Sequence, residues 1–160
     1  MIAVVQRVSS GRVTVAGLVV GEIGKGLVVL AAVHADDGEA DVLWTAGKLV
    51  GLRVFPNEDK AFDLDVRGAG GSLLLVSNFT VAAETRKGRR PSLDGAAGPE
   101  MARGLFERFV AAVRREAGEG VAVATGEFGA DMLVELGNDG PVTFLLDSRA
   151  SRGAGSQVVN

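Results

Sequence analysis

The chain of 160 residues contains no cysteine and a single histidine, His34. Disulfides and thiolate metal sites are therefore excluded, and a reducing compartment such as the cytoplasm is the expected location. Zinc usually takes several Cys or His ligands, and a Ser-His-Asp triad would have to use His34. Because His34 follows an apolar run, we expect it to be a surface or strand-end residue. We expect neither a metal nor a cofactor.

Long apolar stretches and cofactor loops are missing too. No apolar run reaches about 18 residues, and no basic segment precedes an apolar one at the N-terminus, so membrane spanning and secretion are not expected. Gly47-Lys48 is followed by Leu49 rather than by Ser or Thr, so no P-loop lies there. No G-x-S-x-G elbow presents a serine. An enzyme built from this chain would work with hydroxyls, carboxylates, Arg, Lys and backbone amides.

The net charge of −3 and the pI near 5.2 argue against broad affinity for nucleic acid, which depends on many phosphate contacts. A local basic cluster could still bind one end of an RNA. The densest such cluster comprises Arg86, Lys87, Arg89 and Arg90. Taken alone, this cluster has the composition of an ordinary solvated loop.

The length and the 47% apolar content are those of one globular domain. We predict an α+β fold, with a mixed, partly closed, barrel-like sheet and two main helices, over residues 1–147, followed by a flexible tail over residues 148–160. One helix runs from Glu39 to Val50 after an Asp36/Glu39 capping box, and the other begins at Pro99. The predicted strands cover 1–9, 12–15, 18–20, 27–33, 53–55, 61–64, 72–76, 121–124, 132–136 and 142–146.

Two short stretches carry chemistry. "NDGPVT" (Asn138 to Thr143) predicts a hairpin turn, because Asn, Asp and Gly tolerate positive φ. Its Pro141 is unexplained by a hairpin, since proline cannot donate to a β-ladder. "SNFTVAAE" (Ser77 to Glu84) leaves a strand through two hydroxyl residues, and its simplest reading is a strand end turning into a loop.

Together, about 60 residues apart, these stretches resemble the two signatures of the D-aminoacyl-tRNA deacylases. The opening "MIAVVQRV" is similar to that family's first strand, and "VSNFTVAAETRKGRRPS" and "FGADMLVELGNDGPVTF" are similar to its central blocks. The resemblance covers residues 1 to about 146. Two departures stand out, since the family usually has Gln in place of Asn78 and Asp in place of Glu84.

The resemblance implies a homodimer that hydrolyses the ester between a D-amino acid and the 3′-terminal ribose of tRNA. It also implies a cis Gly140-Pro141 bond inserted into the partner's pocket, where backbone carbonyls exclude L-amino acids and glycine on tRNA-Ala partly passes. It implies backbone amides of Phe79 and Thr80 as oxyanion donors, with the ribose 2′-hydroxyl assisting water. The implied catalytic residues are Ser77, Asn78, Phe79 and Thr80.

The residues that the resemblance implies for chiral selection and substrate binding are Arg7, Met132, Asn138, Gly140, Pro141 and Val142. Arg7 is expected to hold the Gly-Pro loop. Phe128 is either a stacking platform for the terminal adenine or an ordinary core aromatic. Arg86, Lys87, Arg89 and Arg90 are the candidate tRNA contacts. We expect tRNA as a partner, and neither DNA nor a membrane. The alternatives are a deacylase with relaxed chirality, a catalytically silent dimer that binds tRNA 3′ ends, and a structural dimer.

Overall fold

One long strand organises the sheet. The computed structural model describes residues 1–152, in which β1 (Ile2–Val15) pairs antiparallel with β2 (Leu18–Ile23), β3 (Gly26–Ala32) and β6 (Leu133–Asp147). β2 and β3 share one edge of β1, and β6 follows the whole of the other edge. The β1–β2 turn takes positive φ at Ala16 (48°) and Gly17 (82°), as a tight hairpin requires.

The second half of the sheet is parallel. β3 pairs with β4 (Ser72–Ser77), and β4 pairs with β5 (Val123–Thr125). The sheet curls until β2 meets β5, where a Cβ at Gly21 would lie 2.4 Å from the Thr125 carbonyl oxygen. Only glycine permits that approach, so Gly21 allows the sheet to close into a nearly complete barrel.

Helices cover the outer face of this barrel. α1 (Glu39–Val50) and α2 (Pro99–Ala117) pack on the sheet. Leu27 and Val29 of β3 face the helices, whereas Val28 faces the barrel interior with Leu74 of β4. These strands read as continuous apolar runs because both of their faces are buried.

The predicted fold class and both main helices are confirmed, and α1 has the predicted bounds. Its capping box is different from the predicted one: Gly38 precedes the helix, and its N–H donates to Asp41 Oδ2 at 2.9 Å. The predicted strands at 53–55 and 61–64 reduce to a single bridge between Phe55 and Leu64. The chain there is a loop held by local hydrogen bonds.

The predicted hairpin at Asn138–Gly140 is wrong. Both apolar runs of β6 pair with the same strand, β1, in the same direction, so the chain does not reverse. Asn138 pairs with Val8 and Thr143 pairs with Gln6, which leaves residues 139–142 opposite Arg7 alone. These four residues bulge out of the strand, and we call them the Gly-Pro bulge.

The predicted flexible tail begins with ordered structure. α3 (Ser148–Arg152) continues directly from β6, and Ser148 is buried. Its hydroxyl accepts a hydrogen bond from the Met1 ammonium at 2.6 Å and donates to Asp41 Oδ1 at 2.7 Å. The remainder of the predicted tail, 153–160, lies outside the described residues.

Candidate functional site

A cavity of about 790 Å³ opens where the parallel strands β3 and β4 end. Ser77, Asn78 and Phe79 form one wall, because the chain leaves β4 there. Phe128 and Met132 also line the cavity. The rest of the lining is chiefly small or apolar, as in sites that bind organic groups.

The first wall leads into a single 3₁₀ turn over Phe79–Ala82. Ser77 ends β4, and the Asn78 N–H donates to the Ala31 carbonyl at 2.8 Å, which anchors the turn to β3. Phe79 is 60% exposed, and Thr80 is exposed beside it. Backbone amides at the start of such a turn have no partner within the turn itself. The wall therefore offers backbone donors at the cavity mouth.

Asn78 already occupies one of these donors. Its Oδ1 accepts from the Thr80 N–H at 3.2 Å and from the Thr80 hydroxyl at 2.5 Å. This is a local bond between a short amide side chain and the residue two positions on, a geometry that Asn favours. The Thr80 amide therefore reaches a ligand only when Asn78 moves aside.

An aromatic pair with a cation against one ring forms another part of the lining. The Phe106 and Phe128 ring centroids lie 6.0 Å apart at 45°. The guanidinium carbon of Arg103 lies 4.7 Å from the Phe128 ring centroid, and Arg103 Nη2 donates to the Phe128 carbonyl at 3.3 Å. Arg103 was missed from sequence, because its spacing on α2 marks it only as a water-facing residue.

The side chain of Asn138 clamps the base of the Gly-Pro bulge. Asn138 Nδ2 donates to the Arg7 carbonyl at 2.9 Å and to the Val142 carbonyl at 3.1 Å, so it ties the far end of the bulge to β1. The Gly140–Pro141 peptide bond is cis, as the resemblance implied, and both residues are exposed. Asn138 thus fixes the base of the bulge, while its tip faces outward.

Arg7 lies beneath the bulge and is 9% exposed. Its Nη1 donates to the Val54 carbonyl at 2.7 Å, and its Nε lies 3.1 Å from Asp139 Oδ2. The Nε contact has the distance of an ion pair, but its angle does not make a hydrogen bond. Arg7 thus supports the bulge through charge and packing.

The bulge and the cavity lie apart within one chain. In the sheet, Ser77 of β4 pairs with Ala31 of β3, and Ala31 pairs with Ala3 of β1. The bulge lies opposite Arg7, four residues further along β1. Three strand spacings also separate β6 from β4. At about 3.3 Å per residue and about 4.8 Å between strands, the two features are about 13 Å apart along the strands and about 14 Å apart across them, or about 20 Å over the sheet surface.

The basic cluster projects from the loop that follows the 3₁₀ turn, and all four side chains are exposed. Arg86 Nη2 lies 2.5 Å from Glu84 Oε2, and this guanidinium holds the pKa of the Glu84 carboxyl at about 2. Within residues 1–152, Lys87, Arg89 and Arg90 form no salt bridge. Three of the four cations therefore remain available to a polyanion.

His34 lies outside the cavity lining, and it is buried (5% exposed) rather than at the surface. Its Nδ1 is 3.1 Å from the Gly95 carbonyl, because β3 ends under the 93–97 segment and a bridge joins His34 to Ala96. Across the described part of the chain, no group of three or more His, Cys, Asp or Glu could hold a metal ion. Nor does any helix of residues 1–152 combine the length and apolarity that crossing a membrane requires.

Comparison with known proteins identifies the fold and the family. Residues 4–147 match the family described as D-Tyr-tRNA(Tyr) deacylase. The chain belongs to this family of enzymes. A relative from Pelobacter propionicus named D-aminoacyl-tRNA deacylase is 54% identical over 92% of this chain and 99% of its own length. A protein of the same name from Clostridioides difficile is 50% identical over 94% of this chain and 99% of its own length.

Solved structures share the deacylase fold. One, named c-Myc DNA Unwinding Element Binding Protein, is 35% identical and superposes with a TM-score of 0.87, covering 92% of this chain and 98% of its own. Another, described as a probable eukaryotic D-amino acid tRNA deacylase, superposes with a TM-score of 0.75 at 20% identity, covering 91% of this chain and 98% of its own. The nearly closed sheet with helices on its outer face is thus the fold of this family.

Proposed function

We propose that the protein hydrolyses the ester bond of D-aminoacyl-tRNA and releases free D-amino acid and tRNA. The observation that carries this proposal is the exposed backbone turn at Phe79–Thr80, which lies at the mouth of an apolar cavity in a chain of the deacylase family. An aminoacyl ester is an activated acyl group, so backbone donors and an oriented water suffice. The lack of a usable triad in the sequence fits this chemistry.

In the proposed mechanism, the substrate carbonyl oxygen accepts the Phe79 and Thr80 N–H groups. Water attacks the carbonyl carbon, the ribose 2′-hydroxyl relays its proton, and the bond to the ribose 3′-oxygen breaks as that oxygen takes up the proton. Each oxyanion donor of this kind contributes about 3 kcal/mol to transition-state binding. Asn78 Oδ1 must release the Thr80 N–H first, since it occupies that donor in the free protein. Ser77 lines the cavity beside them.

Chiral selection in this proposal comes from a second copy of the chain. Within one chain the Gly-Pro bulge is far from the cavity, so it would act on the partner's cavity in a homodimer. Backbone carbonyls of Gly140 and Pro141 would then exclude an L side chain, while Val142 and Asn138 hold the bulge. Glycine on tRNA-Ala has no side chain to exclude and partly passes.

Exposed apolar side chains beside the bulge support the dimer. Leu145 of β6 is 62% exposed. Phe144, whose side chain points to the other face of the strand, packs edge-on against Phe62, which is itself exposed, with ring centroids 6.1 Å apart. Exposed apolar side chains on an edge strand mark an association surface. A dimer through this surface would carry both bulges toward the opposite chains.

For tRNA we propose contacts at both ends of the site. Phe128 and Met132 face the terminal adenosine inside the cavity, and Lys87, Arg89 and Arg90, with Arg86, contact backbone phosphates outside it. The net charge of −3 offers no broad surface for duplex DNA, so we propose no DNA partner. The cytoplasmic location stays a prediction from the absence of cysteine.

The decisive test is deacylation of D-tyrosyl-tRNA against L-tyrosyl-tRNA by the purified protein, with a chelator present. Release of the D-amino acid alone is the expected result. Release of both would favour the variant with relaxed chirality. Binding of tRNA without release of either would favour the silent binder, and Asn78→Gln would then show whether the short side chain is responsible.

A further inference from the structure

Arg103 is a cation at the cavity rim with no assigned role. The same helix, α2, contributes Pro99, Ala102 and Phe106 to the cavity lining, and Arg103 lies next to this face. Its guanidinium covers one face of Phe128 and donates one hydrogen bond to the Phe128 carbonyl. The side chain is exposed, but these two contacts hold it against Phe128 at the cavity rim.

Within residues 1–152, Arg103 takes part in no salt bridge. By contrast, Nη1 of Arg108, five residues further along α2, lies 3.4 Å from Glu39 Oε2. A guanidinium carries five N–H donors. Among the described residues, the hydrogen bond to the Phe128 carbonyl uses one of those of Arg103. Its remaining donors can meet an anion in the planar, two-pronged geometry that favours phosphate.

The chemistry of an aminoacylated 3′ end restricts what that anion can be. The carboxyl group of the amino acid is esterified, and its free amine is cationic or neutral. For D-tyrosyl-tRNA, the only anions near the ester are the phosphodiester groups of the terminal nucleotides. An adenosine held against Phe128 has its own 5′-phosphate one sugar away from the base.

We infer that Arg103 binds the phosphate of the terminal nucleotide of tRNA and, through its contact with Phe128, fixes the wall against which the adenosine lies. This inference rests on the proposed function. It extends that function by naming a binding residue on α2, separate from the basic cluster on the loop. The contact would set the affinity for the tRNA end and leave the chemistry at the ester unchanged.

The test compares a substrate with the phosphate and one without it. The variants are Arg103→Met, which keeps the apolar stem and removes the charge, and Arg103→Lys, with Arg108→Met as the matched control on the same helix. Each is assayed on D-tyrosyl-tRNA and on D-tyrosyl adenosine ester. In parallel, the Kd for uncharged tRNA is measured at several salt concentrations, and folding is checked by thermal unfolding.

Arg103→Met should raise KM for D-tyrosyl-tRNA about 10-fold at unchanged kcat, because charge-assisted hydrogen bonds to phosphate are worth roughly that factor. On the adenosine ester it should change kcat/KM less than about 2-fold. It should also weaken binding of uncharged tRNA about 10-fold. The slope of log Kd against log salt concentration should fall by about 1, the value for one lost phosphate contact. Arg103→Lys should recover part of this loss, and Arg108→Met should lose nothing.

An equal loss on both substrates would overturn the phosphate assignment, since Arg103 would then act only through Phe128. Unchanged affinity for uncharged tRNA would overturn it as well. A native protein that hydrolyses neither ester would refute the proposed function instead. The binding measurements would still decide the role of Arg103 in that case, because they require no turnover.

Discussion

Replacing Asn78 by Ala should make the protein less stable and a faster enzyme. The side chain accepts the Thr80 N–H at 3.2 Å, and that donor is the one the oxyanion requires. An intramolecular hydrogen bond of this kind contributes about 0.5–1.5 kcal/mol net. Because 1.4 kcal/mol is about a tenfold change in rate, removing the competing acceptor should raise kcat/KM on D-tyrosyl-tRNA by about 2- to 10-fold.

The same substitution should lower the free energy of unfolding. Asn78 precedes the 3₁₀ turn as its cap, and loss of such a cap costs about 1 kcal/mol, which corresponds to a fall in Tm of about 2–4 °C. A rate that rises while the Tm falls separates competition for the amide from simple support of the turn. The assay is single-turnover deacylation combined with thermal unfolding by circular dichroism.

Thr80→Val is the matched control. It removes the hydroxyl that donates to Asn78 Oδ1 at 2.5 Å and keeps the backbone amide, so most of the activity should remain. A loss greater than about 100-fold in this variant would give the hydroxyl a chemical role. A rate that falls tenfold in Asn78→Ala would refute the competition argument, because the cap would then be needed to aim the amides.

Three further predictions concern the Gly-Pro bulge, the exposed side chain of Leu145 and the loop that carries the basic cluster. Asn138→Ala leaves the Arg7 and Val142 carbonyls without their donor, and should lower the unfolding free energy by about 2 kcal/mol in chemical denaturation; an unchanged midpoint would contradict the clamp. Leu145→Asp should give a monomer in sedimentation analysis and lose the preference for D over L, whereas a selective monomer would exclude a shared site. Glu84, whose pKa of about 2 lies below the usual value of about 4.3, should contribute stability above pH 4.3 that is lost as the pH falls toward 2. NMR titration of its carboxyl should show a midpoint near 2 that returns toward 4.3 in Arg86→Met, and a normal midpoint in the native chain would refute the ion pair.

The helices were predictable because their signals are local. The apolar periodicity of residues 39–50 gives α1 its bounds, and Pro99 marks the start of α2. Periodicity is less informative at single positions: the apolar residues Leu43 and Met101 are both at least 40% exposed. Whether a given turn of helix is covered depends on what packs there, which the helix itself does not encode.

The strand arrangement around Asn138 was not predictable. An Asn-Asp-Gly step between two apolar runs has the composition of a hairpin, and only the pairing of both runs with β1 makes it a bulge. The burial of His34 is of the same kind, since the 93–97 segment that covers it is 60 residues away in sequence. Arg103 was missed for a similar reason, because its partner Phe128 comes from another element.

By itself the sequence determined the chemistry available: no thiol, one histidine, no cofactor loop, and two signatures that point to a family. It also determined the elements whose signals span a few residues, because capping, turn preference and amphipathic spacing act over that range. The tertiary structure decided which groups meet. Packing of the whole chain placed Arg103 over Phe128, and it separated the Gly-Pro bulge from the cavity by four residues along the strands and three strand spacings across them. Contacts between residues distant in sequence depend on the packing of the whole chain, and no short stretch specifies them.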